Sequence, residues 1–176
     1  MKIRIAELKD LEKIIQIYSK CKIELDNQGI FQWTDNYPNS KIIMTDIHKG
    51  ILYLLEYKNE IIGTINISKE QEKEYGKIEW KFNEGKILVI HRLAIDPKEQ
   101  GNGFARKLMD FAEDYAEKKG YTSIRLDAFS QNERVIKFYK KRNYFLRGKV
   151  NFPEREYPFY CMEKEIKTLA NKVYKQ

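Results

Sequence analysis

The spacing of apolar residues along the chain switches between the strand period of two and the helical period, and it marks the elements. Residues 2–8 alternate through Ile3, Ile5 and, more weakly, Leu8, which predicts a first strand. Asp10 then stands where a helix cap belongs. Leu11, Ile14, Ile15, Tyr18, Cys21 and Leu25 follow at helical spacing, and the helix should fade near Asn27–Gly29. Residues 29–40 mix aromatic side chains with turn formers and predict a loop. Ser40 can cap a short helix bearing Ile42, Ile43 and Ile47, which Gly50 stops. Strands follow over 51–57 and 60–68, and the short Lys58-Asn59 link predicts an antiparallel hairpin.

Residues 69–86 carry five Lys and five Glu, an even balance that reads as a solvated excursion rather than a binding patch. Residues 87–95 form a mostly apolar strand, ended by Asp96-Pro97. A long helix is predicted over 103–119, with Phe104, Ala105, Leu108, Met109, Ala112, Tyr115 and Ala116 on its apolar face and Gly120 as its stop. A strand at 122–129 comes next. A helix at 131–141 then opens with Ser130 and Glu133 at capping-box spacing. Strands at 144–150 and 157–166 precede a charged tail, 167–176, read as a frayed helix. The order β-α-α-β-β-β-α-β-α-β-β predicts an α/β protein with a mixed sheet covered by helices.

Composition narrows the class. A chain of 176 residues with 42% apolar and 13% aromatic content buries enough surface to offset chain entropy as one domain, which excludes disorder. No apolar run approaches the roughly 18 residues a membrane span needs. The N-terminus lacks the apolar block of a secretory signal, so the expected location is the cytoplasm and no membrane partner is expected. Cys21 and Cys161 form no C-x-x-C pair and His48 and His91 are isolated, so two reduced, buried thiols and no metal are expected. The net charge of +7 favours anionic partners, either nucleic acid, acidic lipid or a phosphorylated cofactor. A nucleic-acid partner is disfavoured, because Lys and Arg are scattered beside Asp and Glu. The densest cluster, Lys137, Lys140, Lys141 and Arg142, reads as a solvated helix end.

Candidate chemistry lies in the stretch Leu93-Ala94-Ile95-Asp96-Pro97-Lys98-Glu99-Gln100-Gly101-Asn102-Gly103-Phe104-Ala105-Arg106. An apolar strand ends, a polar turn with two glycines follows, and an amphipathic helix begins. Such a turn lets successive backbone N–H groups face one point at the positive end of a helix, which suits a pyrophosphate. It also fits a plain strand-to-helix connection. A Walker loop is excluded, because Gly103 is followed by no Gly-Lys-Ser/Thr at the required spacing. A dinucleotide fingerprint lacks its third glycine, since Arg106 stands there.

These residues resemble the GCN5-related N-acetyltransferase (GNAT) family. Its signature of Gln or Arg, two residues, Gly, one residue and Gly or Ala stands here as Gln100-Gly101-Asn102-Gly103-Phe104-Ala105. The preceding Arg92-Leu93-Ala94-Ile95-Asp96-Pro97 and the downstream run from Asn132 through Tyr139 to Phe145 match the family as well. Asn143 replaces the usual Gly before the aromatic residue, and Asn also tolerates positive φ. The resemblance implies a mostly antiparallel sheet with two splayed parallel strands. It also implies an acetyl-CoA-binding core over 87–147, acceptor-site elements in the N-terminal half, 1–68, and acetyl-CoA as cosubstrate without a metal. Backbone groups of Leu93, Ala94 and Ile95 would pair with the pantetheine arm, Gln100, Gly101, Asn102, Gly103, Phe104, Ala105 and Arg106 would hold the pyrophosphate, and Asn132 would bond the arm near its thiol end. Tyr139 would protonate the departing thiolate as general acid; read without the family, it is a core aromatic beside Val135 and Ile136.

The implied reaction is direct attack of a primary amine on the thioester in a ternary complex. The base is left open among Asp127, Glu79 and His91, of which Asp127, five residues before Asn132, is the first candidate. Phe31, Trp33 and Tyr37 stand where such folds form an acceptor wall, and each is also a candidate for core packing. Peptide and small-molecule amines both remain open as acceptors, as does a homodimer. The competing readings are a non-catalytic CoA-binding module of the same fold and, below it, a nucleic-acid-binding protein.

Overall fold

The computed structural model describes residues 1–167, so the tail expected to fray over 167–176 lies, beyond its first residue, outside them. Eleven regular elements appear in the predicted order. They are β1 (Lys2–Ile5), α1 (Leu11–Asn27), α2 (Ser40–His48), β2 (Leu52–Tyr57), β3 (Glu60–Ser68), β4 (Lys86–Ile95), α3 (Phe104–Lys118), β5 (Tyr121–Phe129), α4 (Glu133–Lys141), β6 (Phe145–Val150) and β7 (Phe159–Glu165). The strands form a seven-stranded mixed sheet in the order β1-β2-β3-β4-β5-β7-β6. β4 and β5 pair in parallel, and their ladder runs from Lys86–Tyr121 to Ile90–Leu126 while β4 itself continues to Ile95. No helix among the described residues is long and apolar enough to cross a membrane.

The chain divides into two compact units. The first comprises Met1–Ile67 and His91–Asp110. Its core joins Ile14, Ile17, Tyr18 and Cys21 of α1 with Ile43 and Ile47 of α2, against Leu52, Leu54 and Ala94 of the strands. The β2–β3 hairpin turns through Lys58 and Asn59, both at positive φ (51° and 64°), as a two-residue turn of primed type requires. The second unit comprises Ser68–Ile90 and the described residues from Phe111. Here β5 pairs antiparallel with β7 from Ser123–Glu165 to Phe129–Phe159, and β7 pairs with β6.

Several local expectations are corrected. β1 ends at Ile5 rather than running to residue 8, because Leu8–Asp10 winds into a 3₁₀ turn that leaves Leu8 exposed. Asp10 does not cap α1 with its side chain. Its carboxylate accepts instead from the Arg4 guanidinium at 2.7 and 2.9 Å and from the Glu7 amide at 2.8 Å. The cap of α2 is Asn39, whose Oδ1 accepts from the Ile42 amide at 3.0 Å, and Ser40 is already helical. The cap of α4 is Asn132, not Ser130, because the Ser130 amide is tied to the Pro158 carbonyl in the turn leaving β5.

The largest correction concerns residues 69–86. The segment is not simply solvated: Tyr75 and Trp80 are buried, the first at 2% exposure. Arg125 of β5, itself buried, lies over the Trp80 ring and donates to Gln71 Oε1, the Phe82 carbonyl and Asn83 Oδ1. Glu163 of β7 accepts from the Lys81 and Phe82 amides and pairs with Arg125 and Arg147. Lys and Glu side chains face water around an aromatic and charged anchor.

Candidate active site

Within the first unit, the end of β4 runs into the glycine turn. Asp96 caps the 3₁₀ turn Pro97–Glu99, accepting from the Lys98 amide and from Lys20 Nζ at 2.8 Å. Gly101 and Gly103 follow at φ +84° and +83°, a region L side chains rarely adopt, and nothing lies within 4 Å of where a Cβ on either would stand. The first described amide bond into α3 runs from Lys107 to the Gly103 carbonyl. The amides of Phe104, Ala105 and Arg106 therefore belong to the helix turn that has no intrahelical acceptor. Arg106 and Lys107 are exposed beside them. An open turn of left-handed glycines, first-turn amides and two cations fits a pyrophosphate.

Not every candidate in this turn points outward. The Gln100 side chain donates back to the Ile95 carbonyl at 3.0 Å, which also accepts from the Cys21 thiol. The Asn102 amide donates to the Glu99 carbonyl, so both residues brace the turn from within. Leu93 is half-buried, and Ala94 and Ile95 are buried. Phe104 packs against Tyr57 with ring centres 5.1 Å apart.

The acceptor-wall candidates belong to the same unit and separate into three roles. Phe31 is 61% exposed. Trp33 stacks edge-on against Tyr18, with centroids 5.4 Å apart, and joins the core. Tyr37 accepts a hydrogen bond from Arg92 Nη1 at 2.8 Å. The sequence named Arg92 only as the first residue of the family-like stretch and assigned it no role. It sits in β4 at φ +49°, with its buried guanidinium on Asp46 of α2, and its carbonyl accepts from the Tyr18 hydroxyl. Burial pushes the Tyr18 phenol up to about 12.

The second unit holds the other candidates. Tyr139 of α4 is 5% exposed and packs against Tyr144. Burial, and then the charge of Asp127, push its phenol well above the ordinary value of 10.0, so it carries its proton at neutral pH. Asp127 accepts a 2.6 Å hydrogen bond from the Tyr75 hydroxyl, a partner hidden in the Lys- and Glu-rich segment. Asn132 is buried and its Oδ1 serves the α4 amide of Val135. Of the other base candidates, Glu79 is exposed on the 69–86 segment and His91, in the first unit, is buried.

A glycine turn at the head of a long helix, fed by one strand of a parallel pair within a mixed sheet, is an arrangement suited to a phosphorylated carrier. The chain belongs to the acetyltransferase (GNAT) family, whose sequence pattern matches residues 11–144. It is 24% identical over 146 residues, 81% of each chain, to YesJ of Bacillus subtilis (strain 168), described as an uncharacterized N-acetyltransferase. A GNAT-family acetyltransferase from Streptococcus agalactiae 2603 shares the fold at a TM-score of 0.80, with 21% identity over 95% of this chain and 96% of that one. The yncA protein of Salmonella typhimurium, solved with its cofactor acetyl-CoA, shares the fold at 0.67, with 16% identity over 95% and 94%.

Proposed function

We propose that this acetyltransferase moves the acetyl group of acetyl-CoA to the nitrogen of a primary amine, by direct attack in a ternary complex and without a covalent enzyme intermediate, the whole chain acting as one catalytic domain. The observation that carries the reading is the open Gly101–Gly103 turn at the head of α3, with Arg106 and Lys107 beside it. Acetyl-CoA supplies the activated acetyl thioester. The turn and the first amides of α3 bind its pyrophosphate, and the β4 backbone at Leu93–Ile95 runs alongside the pantetheine arm as an added strand would. Asn132 orients the arm near sulfur. A protonated Tyr139 supplies a proton to the departing thiolate, which needs an acid that is still loaded at neutral pH. The exposed Phe31 and the Tyr37 hydroxyl face the acceptor, with Trp33 behind them as support. The buried free thiols Cys21 and Cys161 suit the reducing cytoplasm as the working compartment.

The test is calorimetry with acetyl-CoA on wild type, Gly103→Ala and Gly103→Glu. Nothing crowds a Cβ at Gly103, so the alanine variant registers backbone strain alone, about 1 kcal/mol of stability. The glutamate adds a negative charge where the phosphates should lie and is expected to weaken binding by at least about a hundredfold, roughly 2.7 kcal/mol. Equal binding by all three proteins overturns the pyrophosphate assignment. CoA release with a panel of amines tests the chemistry: tight binding with no turnover on any amine favours the non-catalytic module instead.

A further inference from the structure

Tyr75 is held far more firmly than a surface excursion requires. Its phenol donates to Asp127 Oδ2 at 2.6 Å across 52 positions of sequence. Its ring lies 5.3 Å from that of Trp80, and Trp80 Nε1 returns a hydrogen bond to the Tyr75 carbonyl at 3.1 Å. Arg125 covers Trp80 with its guanidinium 4.3 Å from the ring, and Glu163 pins the neighbouring amides. A phenylalanine would fill the same volume, so packing alone does not call for the hydroxyl.

Among the described groups that face Asp127 in this unit are two phenols and a thiol. Tyr75 reaches it from the 3₁₀ turn Lys73–Lys77, Tyr139 acts on it from α4, and Cys161 is its partner across the β5–β7 ladder. All three carry their protons at neutral pH, each with burial as the main cause and the Asp127 charge adding to it. Asp127 is thus a carboxylate set among proton-bearing neighbours, with one oxygen held by a fixed donor.

We infer that Tyr75 is a positioning residue that holds the Asp127 carboxylate in place as the proton acceptor for the attacking amine. The inference rests on the acetyl-transfer reading above and deepens it. As the C–N bond forms, the nitrogen becomes positively charged and acidic, and one N–H proton passes to the Asp127 carboxylate. The C–S bond breaks with its electron pair on sulfur, which takes the proton of Tyr139. Return of the proton from Asp127 to Tyr139 resets both groups, so charge and protons balance over a turnover.

Tyr75→Phe keeps the ring and removes the donor, and a hydrogen bond to the charged form lowers a carboxyl pKa. The variant is therefore expected to lose about tenfold in kcat, with the acid limb of its pH–rate profile moved up by about half a unit or more. Carbon-13 titration of the Asp127 carboxyl, assigned with Asp127→Asn, should move the same way without any turnover. Superimposable profiles and titrations, with only the melting temperature lowered, make Tyr75 a packing residue and overturn the inference. A wild-type protein that acetylates no amine overturns the acetyl-transfer reading and the catalytic role together, whereas turnover with an unshifted Tyr75→Phe overturns only the Tyr75 role.

Discussion

Arg92 concentrates the tensions that single residues carry in this fold. It holds a left-handed backbone, φ +49°, inside a strand, and its buried guanidinium is met by Asp46 and Tyr37. Such a buried pair contributes little net stability, but removing one partner strands the other's charge. Asp46→Ala should therefore lower unfolding free energy by about 3–5 kcal/mol, read from urea melts, while the double change to Asp46→Leu with Arg92→Met should recover much of the loss. Asp10 makes a pH prediction of its own. The Arg4 hydrogen bonds hold its carboxyl below the ordinary value of 3.8. A group lowered in the folded state stabilises above its unfolded value, and that contribution is lost as pH falls through the folded one. Asp10→Asn should accordingly flatten the acid side of the stability curve below about pH 4, with melts at stepped pH as the measurement. At this scale the sequence was readable where the backbone makes one local demand. Asn143 does sit at φ +64°, as an Asn in the place of Gly suggested. The Arg92–Asp46 pair was not readable, because nothing local couples two residues that far apart in the chain.

Elements were legible in order and nearly in extent, because apolar periodicity over a dozen residues survives small local surprises. Their ends were less so. Asn39-Ser40 and Ser130-Gln131-Asn132 each offer more than one competent cap, and only the neighbouring backbone bonds choose between them. Asn39→Ala should cost about 1 kcal/mol in a denaturant melt, and Ser40→Ala much less. The 69–86 segment was misread because Lys and Glu dominate its composition while Tyr75 and Trp80 carry its packing. Glu163 is its lock, fully buried beneath Arg125 and Arg147. Glu163→Gln leaves those cations underpaired. The Lys81 and Phe82 amides should then exchange hydrogen at least about tenfold faster, measured by mass spectrometry on intact protein.

The whole molecule offers two built-in reporters of its own opening. Cys21 lies in the first unit and Cys161 in the second, both buried, and burial raises both thiols to about 12. Neither should react with iodoacetamide at pH 8 until its unit opens, since the thiolate is the nucleophile. Because β3, β4 and α3 each contribute residues to both units, the two thiols are expected to become reactive at the same urea concentration, by mass spectrometry of each labelled peptide. Separate midpoints would reveal independent unfolding. The candidates for the glycine turn came from one contiguous GNAT-like stretch that begins at Arg92, whereas Tyr75 and Asp46 stand in stretches that carry no signature of their own. The interleaved chain path bears also on birth at the ribosome. The first sixty-seven residues cannot complete their unit until His91–Asp110 has emerged, and Ser68–Ile90 must wait in turn for residues beyond Phe111. At about 5–20 residues per second the nascent chain spends several seconds with both halves unfinished. A chain stalled near residue 90 then holds two unfinished units and is expected to aggregate more readily than the finished protein.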